Sequence, residues 1–396
     1  MLAVIKADGY GHGAELVATV LVDAGVTWLG VADVDEGARV RRALGHHDAH
    51  VLVMCGISTP VNQQRSPGTP VSTPANQQRS PGTPVEPEDA DRIVEHRLTP
   101  VVWTPMHVQA LEAAAERAGR RVAVHLEIDS GMARQGAAPG AELENVVEAL
   151  HRSKWLRLEG VFSHLSSSEV RHGEQTSVQL ERLQRAFDLL KTEDGEVLIP
   201  EWIHLANSSA VDEGSTTAWM RRIGSALRAS VLVRPGRALY GYCLQLENEN
   251  GGGLLPPAGF PGELCQRVKP VLTWKTRIIG TREIAPGQTV GYGATFAAEH
   301  AMRLALLPVG YADGFRREAS SGIGNGWVRI AGHRAAVVGR VSMNLTVVDV
   351  TEIADAAEGA EVTLLGEGVT AADHAAWCGT IPYEILCGIR GVRRLI

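Results

Sequence analysis

Short apolar runs recur along the first 236 residues, separated mostly by stretches whose apolar positions fall at helical spacing. The runs are LAVIK (2–6), WLGVA (28–32), HVLVMC (50–55), TPVVW (99–103), VAVHLEID (122–129), LEGVFSHL (158–165), EWIHLAN (201–207) and ASVLVRPG (229–236). Between them AELVATVLVDAG (14–25), MHVQALEAAAERAG (106–119) and SVQLERLQRAFDLLK (177–191) predict helices. Strands alternating with helices predict parallel β/α units. Eight units predict a closed (β/α)8 barrel of the usual ~250 residues. An open doubly wound sheet is the alternative, because periodicity does not register closure.

Beyond about residue 240 the pattern changes. Segments 268–283, 302–309, 327–331, 335–341, 345–350 and 360–365 are rich in β-branched residues and separated by Gly, Pro and polar turns, with helical patterning only at about 371–388. The expected fold is therefore α/β: a TIM-type barrel over 1–241, then a mainly β C-terminal domain over 242–396. The stretch 247–263 reads as a surface loop. NQQRSPGTPV occurs at 62–71 and again at 76–85. It reads as a duplicated low-complexity loop at about 58–87, following the third strand and without a packing role.

Composition narrows the partners. The 396 residues are 44% hydrophobic and 21% charged, an ordinary globular balance with ample material for a core. A net charge of −7 without a long basic run argues against nucleic acid and anionic membranes. No segment reaches the ~18 apolar residues of a membrane span, and Lys6 interrupts the N-terminal apolar run, so no secretory leader is expected. Cys55, Cys243, Cys265, Cys378 and Cys387 are odd in number and scattered. They predict neither a metal site nor a disulfide framework, and a cytoplasmic setting fits them best.

A barrel gathers its chemistry at the C-terminal strand ends. Here those ends carry Lys6, then Asp129 and Arg134, then His164, then Asn207 and Ser208, then Arg234 and Gly236. Lys6 has two readings. It is a surface lysine with its ammonium in water, or a desolvated amine of lowered pKa able to form a Schiff base. The GYGHG sequel (9–13) favours the second, since glycines let a ligand approach the backbone and Tyr10 can donate to an anion. ANSS (206–209) and RPGR (234–237) fit the phosphate site common at the seventh and eighth strands, although each alone also fits ordinary turn chemistry. A Schiff-base lysine and a phosphate cradle on one barrel face point to pyridoxal 5'-phosphate.

At this point the chain resembles alanine racemase. The matching stretches are AVIKADGYGHG (3–13), HLEIDSGMARQG (125–136), GVFSHLSSS (160–168), HLANSSA (204–210), VRPGRALYG (233–241), VGYGATF (290–296), PVGYADGF (308–315), VGRVSMNLTVVDV (338–350) and PYEILCGI (382–389). The resemblance implies a head-to-tail homodimer with shared active sites, each holding pyridoxal phosphate on Lys6. Tyr292 of the partner subunit would be the base opposite Lys6. Arg134 and the backbone N–H of the partner's Met343 would bind the substrate carboxylate, and Tyr311 would narrow the entrance. Tyr10, Ser208, Gly236, Arg237 and Tyr383 would hold the phosphate, with Asn207 beside them. Arg234 would face the pyridine nitrogen, with His164 between Arg234 and Tyr292. The implied activity is the interconversion of L- and D-alanine, supplying D-alanine for peptidoglycan. Alternatives on the same scaffold are a broad-spectrum amino-acid racemase and a non-catalytic pyridoxal-phosphate-binding relative.

Chemistry agrees with that assignment. Racemisation removes a proton from one face of Cα and returns one to the other, which two fixed bases accomplish without moving. A phenol ordinarily titrates near ~10, so it needs a cationic neighbourhood, such as a His164–Arg234 pair, to act as a base. A guanidinium can only donate. Arg234 would therefore keep the pyridine nitrogen unprotonated and shorten the life of the carbanion. Two departures from the family stand out. A strand and a helix usually precede the lysine strand, whereas here Lys6 lies five residues after Met1; either the true start lies upstream or the chain lacks those elements. Glu127 stands where a carbamylated lysine is common, and it is expected to pair with Arg134 in its place.

Overall fold

Eight strands pair in chain order, all parallel: β1 Leu2–Val4, β2 Trp28–Val31, β3 His50–Val53, β4 Thr99–Val102, β5 Val122–Glu127, β6 Leu156–Phe162, β7 Trp202–Asn207 and β8 Ser230–Arg234. Beyond β8 the Pro235 carbonyl accepts the Val4 N–H at 2.9 Å, which brings the last strand to the first. The ring is thus nearly closed, and the barrel reading holds over the open sheet. This computed structural model describes residues 1–55, 88–190, 195–248 and 262–390. The repeat at 62–71 and 76–85 and most of the 247–263 stretch lie outside the described residues.

The strands are short, apolar and almost wholly buried because helices cover their outer face while their own side chains fill the interior. Local signals set the helix starts. The Asp33 carboxylate accepts the Glu36 N–H at the head of Val34–Leu44, and Thr104 followed by Pro105 starts Pro105–Arg117. Of the other two helices expected from spacing, Ala14–Asp23 starts as expected and ends two residues early, and Glu174–Phe187 starts three and ends four residues early.

Tertiary contacts divide the chain into two units: Met1–Gly9 with Ala14–Val268, and Tyr10–Gly13 with Lys269–Ile396. The expected boundary at 241/242 thus falls within the first unit. The reason is local: Glu247–Asn248 pairs with Val170–Arg171, and Asp212 accepts the Leu264 N–H at 2.8 Å. Among the described residues the second unit contains a two-stranded antiparallel ribbon, Thr289–Val290 with Phe296–Ala297, and two larger antiparallel sheets. One orders Trp274–Arg277, Glu361–Leu365, Trp327–Ile330 and His333–Ala336; the other orders Gly280–Ile284, Met302–Leu307 and Thr346–Asp349. Helices Ala371–Cys378 and Pro382–Gly388 follow. Tyr10–Gly13 belongs to this unit. A Cβ on Gly11 would stand 2.1 Å from the Leu386 carbonyl oxygen. That glycine makes room for a helix backbone, which corrects its reading as room for a ligand.

Candidate active site

Strand β1 ends at Val4, and the backbone then turns left-handed. Ala7, Asp8, Gly9 and Tyr10 have φ of 55°, 54°, 62° and 53°. Left-handed geometry costs a non-glycine residue about 1–2 kcal/mol, so this turn needs holding. The clamp is Glu36, a buried side chain. One oxygen of its carboxylate accepts the Asp8 N–H at 2.8 Å and the other the Ala32 N–H at 2.8 Å. Asp8 in turn accepts the Ala14 N–H at 3.0 Å. The result projects Lys6 from the C-terminal rim of the barrel. Burial lowers the Lys6 pKa, and the guanidinium groups of Arg134 and Arg234 lower it further.

Arg234, at the end of β8, is 2% exposed. One terminal nitrogen, Nη1, donates to His204 Nδ1 at 3.0 Å and to the His204 carbonyl at 3.1 Å. The other, Nη2, donates to the Ser163 carbonyl at 2.8 Å, to His164 Nδ1 at 3.0 Å and to the Leu205 carbonyl at 3.2 Å. Nε makes no hydrogen bond among the described residues, so it remains available to an acceptor. Arginine only donates. Both histidines therefore accept through Nδ1, and each neutral ring carries its proton on Nε2. Burial first, then the neighbouring Arg234, Arg134 and Lys6 charges, push His164 down to about 2, which keeps it neutral. Arg234 itself falls to about 10 through burial, still cationic near neutral pH.

The two stretches read from the sequence as a phosphate cradle lie side by side at the ends of β7 and β8. Ser208 Oγ accepts the Gly236 N–H at 3.2 Å and the Ala238 N–H at 3.3 Å, while the Arg237 side chain donates to Ser209 Oγ. Ala238 and Ser209 were not foreseen, because a motif at 234–237 does not show which amide turns inward. Asn207 serves the fold here: its Oδ1 accepts the Ser168 hydroxyl at 2.9 Å and caps the next helix through the Ala210 N–H at 3.1 Å.

Past β5 the Asp129 carboxylate gathers the N–H groups of Gly131, Met132 and Ala133 at 2.9–3.1 Å and shapes the turn that presents the exposed Arg134. Glu127 does not pair with Arg134, contrary to expectation. Its carboxylate accepts the side-chain N–H of Gln135, which also donates to the Met54 carbonyl at 2.8 Å. The adjacent Gln135 outcompetes the arginine because it turns inward beneath the same loop. Burial raises Glu127 to about 7 despite the Gln135 bond and the nearby Arg234 and Arg134 charges. Glu36, Gln135 and His204 lie beside these residues and were not foreseen; Gln135 and His204 fall within matched stretches, and nothing local marked Glu36.

The first unit brings together Lys6, Arg134, His164 and Arg234, and it also carries Asn207, Ser208, Gly236 and Arg237. The second unit carries Tyr10, Tyr292, Tyr311, Met343 and Tyr383. Tyr292 is 69%, Met343 57% and Tyr311 43% exposed. The three flank one loop: Gly291 packs against Arg340, the Tyr311 N–H donates to the Ser342 carbonyl at 3.1 Å, and the Ala312 N–H donates to the Met343 carbonyl at 2.9 Å.

A parallel-strand barrel with a desolvated lysine and a tethered guanidinium on one rim, joined in sequence to a mainly β unit, places the chain among two-unit α/β-barrel proteins. Comparison with known proteins makes this specific. Residues 1–65 and 77–243 match the alanine racemase N-terminal domain, and residues 271–395 match the alanine racemase C-terminal domain. An alanine racemase of Geobacter sulfurreducens is 34% identical over 98% of this chain and 88% of its own length. The Streptomyces coelicolor alanine racemase superposes with a TM-score of 0.75 at 30% identity, covering 98% of this chain and 89% of that one. A Bartonella henselae alanine racemase, described with covalently bound pyridoxal phosphate, superposes at 0.71 with 23% identity over 98% and 89%, a likeness of fold. The chain belongs to the alanine racemase family, and it is an isomerase of amino acids.

Proposed function

We propose that the chain interconverts L- and D-alanine using pyridoxal phosphate, in a homodimer with two shared sites, and so supplies D-alanine for peptidoglycan. The observation that carries this reading is the pairing of two groups on one rim. One is an amine whose pKa burial and two guanidinium groups lower; the other is a buried guanidinium with its terminal nitrogens tied down and its Nε–H to spare. The residues fit the cofactor. Lys6 would hold it covalently, Arg234 would donate to its ring nitrogen, and Ser208, Gly236 and Arg237 would bind its phosphate. Bound there, it supplies the electron sink that stabilises charge at the substrate Cα.

The remaining work falls to the chain's own groups. Arg134 holds the substrate carboxylate as a cation on a shaped turn. The Lys6 amine, its pKa lowered by burial and the nearby guanidinium groups, takes or returns a proton on one face of Cα. Tyr292 of the partner subunit serves the other face, with the partner's Met343 and Tyr311 beside it. The exposure of all three in a single chain supports that assignment, since an exposed cluster around one loop suits a partner's surface. His164 is poised to pass on the polarity of Arg234, because its Nδ1 is engaged and its Nε2–H is free to donate. The odd, scattered set of five cysteines, without the spacing of a disulfide framework, supports a cytoplasmic location.

The test combines absorption near ~420 nm, the usual region for a lysine-bound pyridoxal cofactor, with deuterium wash-in at Cα from each enantiomer. Lys6→Ala is expected to lose both signals. Tyr292→Phe is expected to keep the band and lose exchange chiefly from L-alanine. Full exchange from L-alanine in Tyr292→Phe would remove that tyrosine from its role.

A further inference from the structure

A barrel interior is ordinarily filled by branched apolar side chains, yet this one carries polar groups along its axis. His204 Nε2 lies 2.8 Å from His125 Nδ1, and both rings are fully buried. Beyond them His125 Nε2 faces Glu159 Oε2 at 3.5 Å, longer than a good hydrogen bond, and neither atom has a hydrogen-bond partner among the described residues. The other Glu159 oxygen accepts from Arg157 at 2.8 Å, and Arg157 also bonds Glu201. Room for this row is built in. A Cβ on Gly160 would come within 2.6 Å of the His125 ring, Trp28 leans on that ring at 5.1 Å, and Phe162 stacks on His204 at 4.5 Å.

The protons along the row follow by elimination. Arg234 Nη1 donates to His204 Nδ1 at 3.0 Å, so the neutral His204 carries its proton on Nε2. That proton points at His125 Nδ1, which must accept. His125 cannot be a cation, because two N–H groups would then oppose each other at 2.8 Å. Its single proton sits on Nε2 and points at Glu159. Burial, the dominant influence on both rings, also disfavours their charged forms. Every N–H in the row thus runs from the arginine toward the carboxylate.

We propose that Glu159 is a positioning residue for Arg234. By accepting at the far end it selects the tautomer of both imidazoles, which keeps His204 Nδ1 an acceptor and holds the guanidinium in the orientation that leaves Nε free. Without an acceptor there, His125 gains by turning its proton to Nδ1. His204 then moves its own proton to Nδ1, where it opposes Arg234. The inference rests on the role given to Arg234 above, and it concerns a residue at the opposite end of the barrel from the reaction.

The test is nitrogen-15 NMR of histidine-labelled protein, which reports the protonated ring nitrogen without reference to activity. In the parent protein His125, His204 and His164 are expected as neutral Nε2–H rings. Glu159→Met, which removes the acceptor, is expected to shift His125 and, two residues down the row, His204 toward Nδ1–H. Turnover of alanine is expected to fall about tenfold with the Michaelis constant within about twofold, the split expected when only transition-state interactions weaken. Glu159→Gln, which keeps an acceptor oxygen, is expected to restore most of both and guards against a folding defect. Nδ1–H rings in the parent protein, or an unchanged His204 in folded Glu159→Met, would overturn the proposal. The expected tautomers in a parent protein that does not racemise alanine would instead overturn the functional reading and leave the positioning intact.

Discussion

At the residue scale, Glu127 shows what burial does to a single charge. Its folded pKa of about 7 lies above the ordinary carboxyl value, so the folded chain holds a proton that the unfolded chain releases. The sign follows: this contribution is fully present below about pH 4.5 and is lost as pH rises toward about 7. Its size is on the order of 3 kcal/mol. We predict that Glu127→Gln removes this part of the pH dependence, so that denaturation midpoints of variant and parent diverge between pH 5 and pH 8. Parallel profiles would contradict it. Glu127 also marks a limit of sequence reading. Charge complementarity named Arg134 as its partner, but which side chain turns inward depends on a loop shaped by Asp129, and both candidates stand side by side in the chain. Lys6 and Arg234 were legible because a cation at the end of an apolar strand is costly without a purpose.

At the scale of elements, the barrel was legible because both faces of each strand are covered, which forces continuous apolar runs at eight places. What the runs could not show was the left-handed turn after β1, whose non-glycine members Ala7, Asp8 and Tyr10 carry no local signature for that geometry. It exists because Glu36, on a different β/α unit, holds the Asp8 and Ala32 amides. We predict that Glu36→Gln destabilises the fold by about 1–3 kcal/mol, the cost of leaving one buried amide N–H facing another donor. Urea denaturation would show it. The Lys6 amine would also lose its fixed aim, and the fraction of protein retaining cofactor should fall. Unchanged stability and cofactor content would mean that the turn holds itself.

For the whole molecule, the two-unit division explains why Gly11 of GYGHG was read as room for a ligand: it packs with a C-terminal helix, a long-range fact invisible to a local motif. It also frames the central claim, that Lys6 of one subunit and Tyr292 of its partner face the same carbon. Lys6→Ala and Tyr292→Phe chains carrying different tags, co-produced and purified through both tags, give dimers in which one of two sites holds both intact residues. Such dimers are predicted to regain about half of the parent activity toward L-alanine, although each variant alone is nearly inactive. Tagged mixed dimers no more active than the separate variants would contradict the account.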